Sequence, residues 1–355
     1  MEYTKLKYIN QYKSKSINPA KTPDTIFEMY SVPIYATGHP EYLRGDEIAS
    51  NKAIVRKNDI LLCKINPRIN RVWVVSDESG KQNIASSEWI VIRNSEYNPE
   101  FLAWYFRTPK FQKFMTSEIT GIGGSLTRAQ PKCVAEYPVP VLNRKKQDEI
   151  VNILDKCKLV IDSRKRELLE LDNIIKARFV EMFGDININD KHWECEPLGE
   201  LCTIVRGGSP RPIEQFLGGD VPWIKIGDAT DGDNIYLSST KEHIIQEGVK
   251  KSRLVKAGSL IFANCGVSLG FARIITFDGC IHDGWLAMEG IDERLDKVFL
   301  LQALNQMTEH FRAIAPAGTQ PNLNTAIMKA YKQVIPPIEL QRDFIRFVKQ
   351  VNKSK

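Results

Sequence analysis

The sequence predicts an α+β fold: two similar α/β domains separated by a long coiled-coil helix, with a shortened second helix at the C-terminus. Three observations lead to this prediction. The 355 residues suffice for about two domains, a series of short motifs occurs twice in the same order, and a stretch with heptad spacing lies between the copies. The predicted boundaries are 1–143 for the first domain, 144–184 for the central helix, 185–337 for the second domain and 338–355 for the C-terminal helix.

The two predicted domains share six motifs in the same order along the chain. A basic turn followed by an apolar run, typical of a buried strand, occurs at 55–62 and again at 255–262. Each copy then continues through strand-like and helix-like stretches to a glycine-rich loop and a polar segment, which begins at Leu126 in one copy and at Leu323 in the other. A single match could arise by chance, but a series in constant order indicates a duplication.

The central segment predicts one uninterrupted helix. Residues 145–183 contain neither glycine nor proline, and Gly184 supplies a typical helix stop. A helix of about 40 residues would be about 60 Å long, so we expect it to separate the domains. The alternative is a long packing helix inside a single domain. Positions four and three apart form a predicted coiled-coil seam once Cys157 is counted and Arg164 fills a gap. The predicted subunit interface on this seam consists of Ile150, Leu154, Ile161, Leu168, Leu171 and Ile175.

The C-terminal helix begins like the central one but is much shorter. Residues 339–351 cover only about four turns. We therefore expect the seam of the central helix to stay largely uncovered within this chain. This expectation predicts either another subunit at the seam or a shortened gene product.

Composition excludes several classes of protein. The 49 basic and 43 acidic residues give a net charge of +6, which permits an anionic partner without demanding one. The seven cysteines are odd in number and scattered, as expected for reduced thiols in a cytoplasmic protein. Cys265, Cys280 and His282 are the most ligand-like group, but no fourth ligand stands at zinc spacing, so no metal site is predicted. We also find no signal peptide and no apolar run that could span a bilayer.

Over essentially the whole chain, these patterns resemble the DNA-specificity subunits of type I restriction-modification enzymes. In the second half the resemblance rests on 317–324 (AGTQPNLN) and 335–341 (IPPIELQ). The first half looks like a second subtype of the same domain, and the end of the central helix also fits; these segments are 64–73, 86–93, 120–128 and 176–184. The resemblance implies two target recognition domains that each read one part of a split, asymmetric DNA site, held apart by a rigid spacer.

The resemblance also implies partners. They would be double-stranded DNA and two modification (methyltransferase) subunits carrying S-adenosylmethionine, and a restriction subunit using ATP and Mg²⁺ could join them. The chain itself would hold no cofactor and no catalytic residue. Whether a second chain completes the helical pair stays open.

Chemistry and resemblance together suggest the residues that contact DNA. Arg and Lys suit phosphates and guanine, whereas Asn and Gln suit adenine. A solvated loop is the alternative for the turn at 64–71, and a bare glycine-rich turn is the alternative for the loop at 121–128. The candidates are Lys64, Asn66, Arg68, Asn70, Arg71, Ser125, Thr127, Arg128, Arg206, Ser209, Arg211, Lys225, Asn264, Ser268, Gln320, Asn322 and Asn324.

Two other functions were compared with this one. An adenine methyltransferase would need a glycine-rich cofactor loop and an Asn/Asp-Pro-Pro-aromatic motif, but Pro336 and Pro337 are flanked by isoleucines. No Walker A sequence and no nuclease-like cluster of carboxylates with a lysine is present. A stand-alone DNA-binding regulator remains the alternative, although the chain lacks helix-turn-helix, zinc-finger and basic-zipper signatures.

Overall fold

The chain folds into two compact units, Met1–Ser163 and Arg164–Lys355. The structure is a computed structural model that describes residues 2–117, 119–120, 127–230, 235–316 and 322–355. Strands and helices are mixed in both units, and one helix of 40 residues runs from the first unit into the second, so the predicted fold class is confirmed. The division between the units falls within this helix, and the boundaries at 143, 184 and 337 stay predictions.

The first unit contains a five-stranded sheet, a three-stranded antiparallel sheet and two short strand pairs. Its strands are β1 (Tyr3–Lys5), β2 (Ser16–Ile17), β3 (Ile26–Tyr30), β4 (Glu41–Arg44), β5 (Lys52–Ile54), β6 (Ile60–Cys63), β7 (Val72–Val74), β8 (Gln82–Ala85), β9 (Trp89–Ile92), β10 (Ile119–Thr120), β11 (Arg128–Ala129) and β12 (Pro138–Pro140). Its helices are α1 (Leu6–Ile9), α2 (Pro99–Phe106), α3 (Pro109–Met115), α4 (Pro131–Val134) and the start of α5 (Arg144–Phe183). The sheet orders are β2-β5-β8-β3-β4, with β3 and β8 parallel, and β7-β6-β9.

The second unit is built on a five-stranded and a four-stranded sheet, ordered β14-β22-β19-β20-β16 and β17-β15-β21-β18. Its strands are β13 (Cys195–Pro197), β14 (Thr203–Arg206), β15 (Leu217–Ile224), β16 (Tyr236–Leu237), β17 (Glu242–Ile244), β18 (Arg253–Val255), β19 (Leu260–Ala263), β20 (Ala272–Ile275), β21 (Gly279–Ile281), β22 (Trp285–Glu289) and β23 (Lys332–Val334). Its helices are α6 (Leu198–Leu201), α7 (Gln246–Val249), α8 (Lys297–Gln306), α9 (Thr308–Ile314), α10 (Thr325–Ala330) and α11 (Ile338–Lys353). The four-stranded sheet contains one parallel pair, β15 with β21, just as the five-stranded sheet of the first unit contains the parallel pair β3 and β8.

The predicted duplication is confirmed by strand register. In the first unit β6 pairs with β9 so that Cys63 lies opposite Trp89. In the second, β19 pairs with β22 so that Ala263 lies opposite Trp285. The next strand in each unit also pairs equivalently: β7 is antiparallel to β6, and β20 is antiparallel to β19. The two units therefore share a backbone frame, and differences in function must come from the side chains and loops on it.

A buried glutamine is duplicated as well. Gln147, near the start of α5, accepts a hydrogen bond from the Asn98 N–H (2.7 Å) at the start of α2. Gln341, near the start of α11, accepts one from the Asp296 N–H (2.8 Å) at the start of α8. Both are side-chain caps that satisfy a backbone donor at a helix start. The starts of α5 and α11 are thus each fixed by the same device to the start of an earlier helix, α2 and α8 respectively.

Helix α5 ends as the sequence predicts, because Gly184 adopts the left-handed conformation (φ 76°) and its N–H bonds to the Val180 carbonyl (2.8 Å). The last turns of α5 and helix α11 both enter the apolar core of the second unit. Phe179 lies 5.4 Å and Phe183 lies 5.5 Å, ring centroid to centroid, from Phe344 of α11. The end of the central helix is therefore covered within its own unit.

The predicted seam residues divide into two groups. Ile150 packs against the core of the first unit, and Ile175 is buried in the core of the second. Leu154, Leu168 and Leu171 are partly exposed. Ile161 is 54 % exposed and has apolar exposed neighbours on the same helix, Ile153, Leu159 and Val160. The middle of α5 thus leaves apolar side chains uncovered by its own unit.

The described residues hold neither a metal-ligand cluster nor a membrane-spanning helix. All seven cysteines are free thiols. No group of three or more His, Cys, Asp or Glu in the described ranges could hold a metal ion. No helix in the same ranges is both long enough and apolar enough to cross a membrane.

Candidate nucleic-acid interface

In the first unit, the turn after β6 is tied to two other segments through its backbone. The Lys64 N–H donates to the Glu88 carbonyl (3.0 Å), and the Lys64 carbonyl accepts from the Ala129 N–H (2.8 Å). Two residues on, Asn66 adopts a left-handed φ of 47°, which asparagine tolerates, and donates to the Thr127 carbonyl (2.8 Å). This junction brings together the predicted contacts at 64–66 and 127–128, which lie far apart in sequence.

Arg128 forms a two-point ion pair at this junction. Its Nε donates to Glu88 Oε2 (3.1 Å) and its Nη2 to Glu88 Oε1 (3.2 Å). The Arg128 side chain remains 43 % exposed. The Glu88 carboxylate raises the pKa of the guanidinium. Sequence reasoning missed Glu88, and its place directly before the strand that begins at Trp89 was the available signal.

The remaining candidates of the 64–71 turn have differing environments. The Arg68 side chain is exposed, whereas its carbonyl accepts from the Gln112 side chain. Asn70 uses its amide to donate to the Phe106 carbonyl (2.9 Å) at the end of α2. Arg71 Nη1 lies 3.8 Å from the Cys63 sulfur. Asn70 thus has a structural bond, and Arg68 is the more accessible cation.

The second unit repeats the junction. The Asn264 N–H donates to the Gly284 carbonyl (2.9 Å), and the Asn264 carbonyl accepts from the Leu323 N–H (2.8 Å). Lys64 and Asn264 are therefore equivalent, and so are Ala129 and Leu323. The start of the first polar segment at Leu126 lies outside the residues that the structure describes.

The side chains at the second junction are amides instead of an ion pair. Asn264 is fully buried and donates through Nδ2 to Asn322 Oδ1 (3.2 Å) and to the Leu323 carbonyl (3.1 Å). Cys265 and Asn322 form an isolated antiparallel bridge, as Ile65 and Arg128 do in the first unit. Arg128 and Asn322 consequently occupy equivalent positions with different chemistry.

Three predicted contacts are buried, Asn264 and two more, and two lie outside the described residues. Thr127 and Ser268 are each less than a tenth exposed. Ser125 and Gln320 fall in the ranges that the structure does not describe.

Asp283 interacts with the three predicted DNA contacts of segment 206–211. The Arg206 Nε donates to its carbonyl (3.0 Å), the Ser209 hydroxyl donates to its Oδ1 (2.7 Å), and Arg211 lies 3.8 Å from its Oδ2. Burial acts to raise the pKa of Asp283, but the Ser209 hydroxyl and the neighbouring cations outweigh burial and hold this pKa below its usual value. Sequence reasoning missed Asp283, which lies more than 70 residues from its partners.

Lys225 completes the basic surroundings of this cluster. It pairs with Glu242 (2.8 Å) and lies over the Trp223 ring (5.8 Å to the centroid). Burial first, and then the charges of Lys225, Arg211 and Arg206, lower the pKa of His282, which precedes Asp283. Lys225, Arg206 and Arg211 thus lie near His282 and Asp283, with Glu242 and Asp283 as their acidic partners.

Asn324, a predicted DNA contact, caps helix α10. Its Oδ1 accepts the Ile327 N–H (2.9 Å). We expect Asn324→Ala to lower the free energy of unfolding of the second unit by about 1 kcal/mol, because one backbone donor loses its partner. Asn324→Ser should retain most of this stability, since serine also caps helices. Urea unfolding of both variants measures the difference; equal losses for Ala and Ser would contradict a capping role.

A known protein domain matches this half of the chain. Residues 190–355 match the family described as type I restriction modification DNA specificity domain. The second half of the chain thus carries a domain of this family, and the resemblance to type I specificity subunits is confirmed.

Two curated proteins that the chain resembles are also type I restriction enzyme specificity subunits. Over 187 residues the chain is 22% identical to the type I restriction enzyme MjaIX specificity subunit of Methanocaldococcus jannaschii, covering 48% of this chain and 40% of that protein. Over 185 residues it is 25% identical to the HindI specificity subunit of Haemophilus influenzae, covering 50% and 40%. The matches thus span 40% of the length of these two curated relatives.

A solved structure supports the fold over the full length. One chain from a structure of the type I R-M system aligns with 99% of this chain and 90% of its own length, with a TM-score of 0.58 and 18% identity. At this identity the likeness establishes the fold.

Proposed function

We propose that this chain is the sequence-specific DNA-binding specificity subunit of a type I restriction-modification complex and that it reads a bipartite, asymmetric site. The observation that carries the proposal is the junction built twice on one backbone frame, with Lys64, Glu88 and Arg128 in one unit and Asn264 and Asn322 in the other. Because the two units share a backbone fold, their base-contacting side chains would occupy equivalent positions. Because those side chains differ, they would select different bases. Two half-sites of different sequence follow.

Phosphate contacts would supply most of the affinity. Arg68 is an exposed cation beside the first junction, and Arg206, Arg211 and Lys225 surround the Asp283 cluster of the second unit. Such contacts fix the position of a protein on the duplex without reading its sequence. Binding by these few cations should weaken steeply with salt.

Scaffolding is the second part of the proposed function. The exposed apolar residues in the middle of α5, Ile153, Leu159, Val160 and Ile161, would pack against helices of two modification subunits, with a second chain as the other occupant. Those subunits would bring S-adenosylmethionine, and a restriction subunit would bring ATP and Mg²⁺. This chain would act in the cytoplasm and hold neither a cofactor nor a catalytic residue.

Exchange of one domain tests the function directly. Residues 185–337 are replaced by the corresponding domain of another specificity subunit, and the methylated motifs of the host genome are sequenced. We expect one half of a split adenine-methylation motif to change completely and the other half to stay, because each unit reads separately. Deleting the gene should abolish the whole motif.

The reciprocal exchange of residues 1–143 is the matched control and should change only the other half. A change in both halves after either exchange would contradict separate reading. Methylation by the purified chain without any partner would contradict the non-catalytic role. A stand-alone regulator would leave genomic methylation unaltered when the gene is deleted.

A further inference from the structure

The ion pair between Arg128 and Glu88 uses only one edge of the guanidinium. An arginine carries five N–H donors in a fixed plane. Glu88 takes the donors on Nε and one on Nη2, at 3.1 and 3.2 Å. The edge formed by Nη1 and Nη2 is not part of this pair. Arg128 is thus oriented by one edge while a second edge can donate two parallel hydrogen bonds.

Two parallel N–H donors fit one base edge best. Guanine presents O6 and N7 as adjacent acceptors in the major groove, and arginine is the commonest partner for them. We propose that Arg128 reads a guanine in the half-site of the first unit and that Glu88 is its positioning residue. The inference rests on the proposed function and names the base that one side chain selects.

The ion pair between Arg128 and Glu88 should contribute little to the stability of the first unit. Its arginine is 43 % and its glutamate 26 % exposed, and pairs in such surroundings contribute between about 0 and 1 kcal/mol. Its other effect is geometric: two hydrogen bonds favour one orientation of a long side chain before DNA binds, which lowers the entropic cost of binding. Arg128 is therefore an oriented, charged and partly exposed donor, and it lies at a junction that each unit repeats. These are the properties expected of a side chain that contacts a base.

Asn322 occupies the equivalent position of the second unit, where its amide suits adenine instead of guanine. Asn322 is held through its Oδ1 by Nδ2 of the buried Asn264 (3.2 Å). Its own Nδ2 and the second lone pair of Oδ1 match N7 and N6 of adenine. The same position would therefore select guanine in one half-site and adenine in the other, which makes the whole site asymmetric.

The test is selection from a randomised double-stranded DNA library by the full chain assembled with its modification subunits. Arg128→Gln should reduce the preference for G·C at one position of one half-site by about tenfold, and Arg128→Lys should do the same because lysine cannot make the paired contact. Glu88→Gln should reduce the preference at that same position by a smaller factor, since the arginine remains but is no longer fixed. The other half-site should keep its preferences.

Arg44→Gln is the matched control. Arg44 is also an exposed arginine of the first unit that pairs with a carboxylate, Asp24 (2.9 Å), and its loss should leave every base preference unchanged. Uniform weakening at all positions by Arg128→Gln would overturn the inference and assign a phosphate contact or a structural role. If the unaltered protein selects a two-part motif but the Arg128 variants retain all its preferences, this inference alone fails. If the unaltered protein selects no motif, the proposed function fails.

Discussion

Replacing Phe179 by alanine is expected to lower the free energy of unfolding of the second unit by about 3–5 kcal/mol. The side chain is 1 % exposed and stands where three helices meet. Its ring centroid lies 4.9 Å from that of Phe183, 5.8 Å from that of Phe299 and 5.4 Å from that of Phe344. Alanine would leave a cavity that these aromatic rings cannot fill without moving the last turns of α5 away from α8 and α11.

Urea unfolding, followed by hydrogen exchange of peptides from each unit, measures the effect. The matched control is Leu159→Ala on the same helix, where the side chain is 69 % exposed, and its cost should stay within about 0.5 kcal/mol. Faster exchange should be confined to the second unit. Equal losses for Phe179→Ala and Leu159→Ala would contradict the packing described for the end of α5.

The long helix and the duplication were predictable because each depends on local patterns. A stretch without glycine or proline whose apolar residues keep heptad spacing strongly favours a long helix, and Gly184 ends this one as expected. The apolar runs at 60–63 and 260–263 became equivalent buried strands because both are flanked by a turn and a partner strand. Patterns of this kind require no knowledge of distant residues.

The details of the candidate interface were not predictable for the opposite reason. Glu88 and Arg128 are 40 residues apart, and Arg206 and Asp283 are 77 apart. Only the folded backbone decides which such residues meet. A polar residue type does not reveal its use either, since Asn324 caps a helix although its chemistry would suit a base.

Glu28 is the second residue whose loss should be costly, because its buried carboxylate organises a loop of the first unit. It accepts hydrogen bonds from the Tyr30 hydroxyl (2.7 Å) and from the N–H groups of Glu78 (2.9 Å) and Ser79 (2.8 Å). The Ser79 hydroxyl adds a fourth at 2.5 Å. Glu28→Gln places an NH₂ group against these donors, and we expect a loss of about 3 kcal/mol at pH 7, since hydrogen bonds to a charged group are strong and the buried donors lose an acceptor.

The dependence of stability on pH should identify the carboxylate as the cause. Burial acts to raise the pKa of Glu28, but the hydrogen bonds from Ser79, Glu78 and Tyr30 outweigh it and hold this pKa below the ordinary 4.5. A lowered pKa means that the stabilisation is complete above the unfolded-state value and disappears as the pH falls below 4.5 through the folded-state value. Urea unfolding of the first unit between pH 7 and pH 3 should therefore show a loss in the unaltered chain that is smaller in Glu28→Gln. Glu96→Gln, at an exposed glutamate of the same unit, should keep the original pH dependence. An identical acid loss in Glu28→Gln and in the unaltered chain would show that other groups cause it.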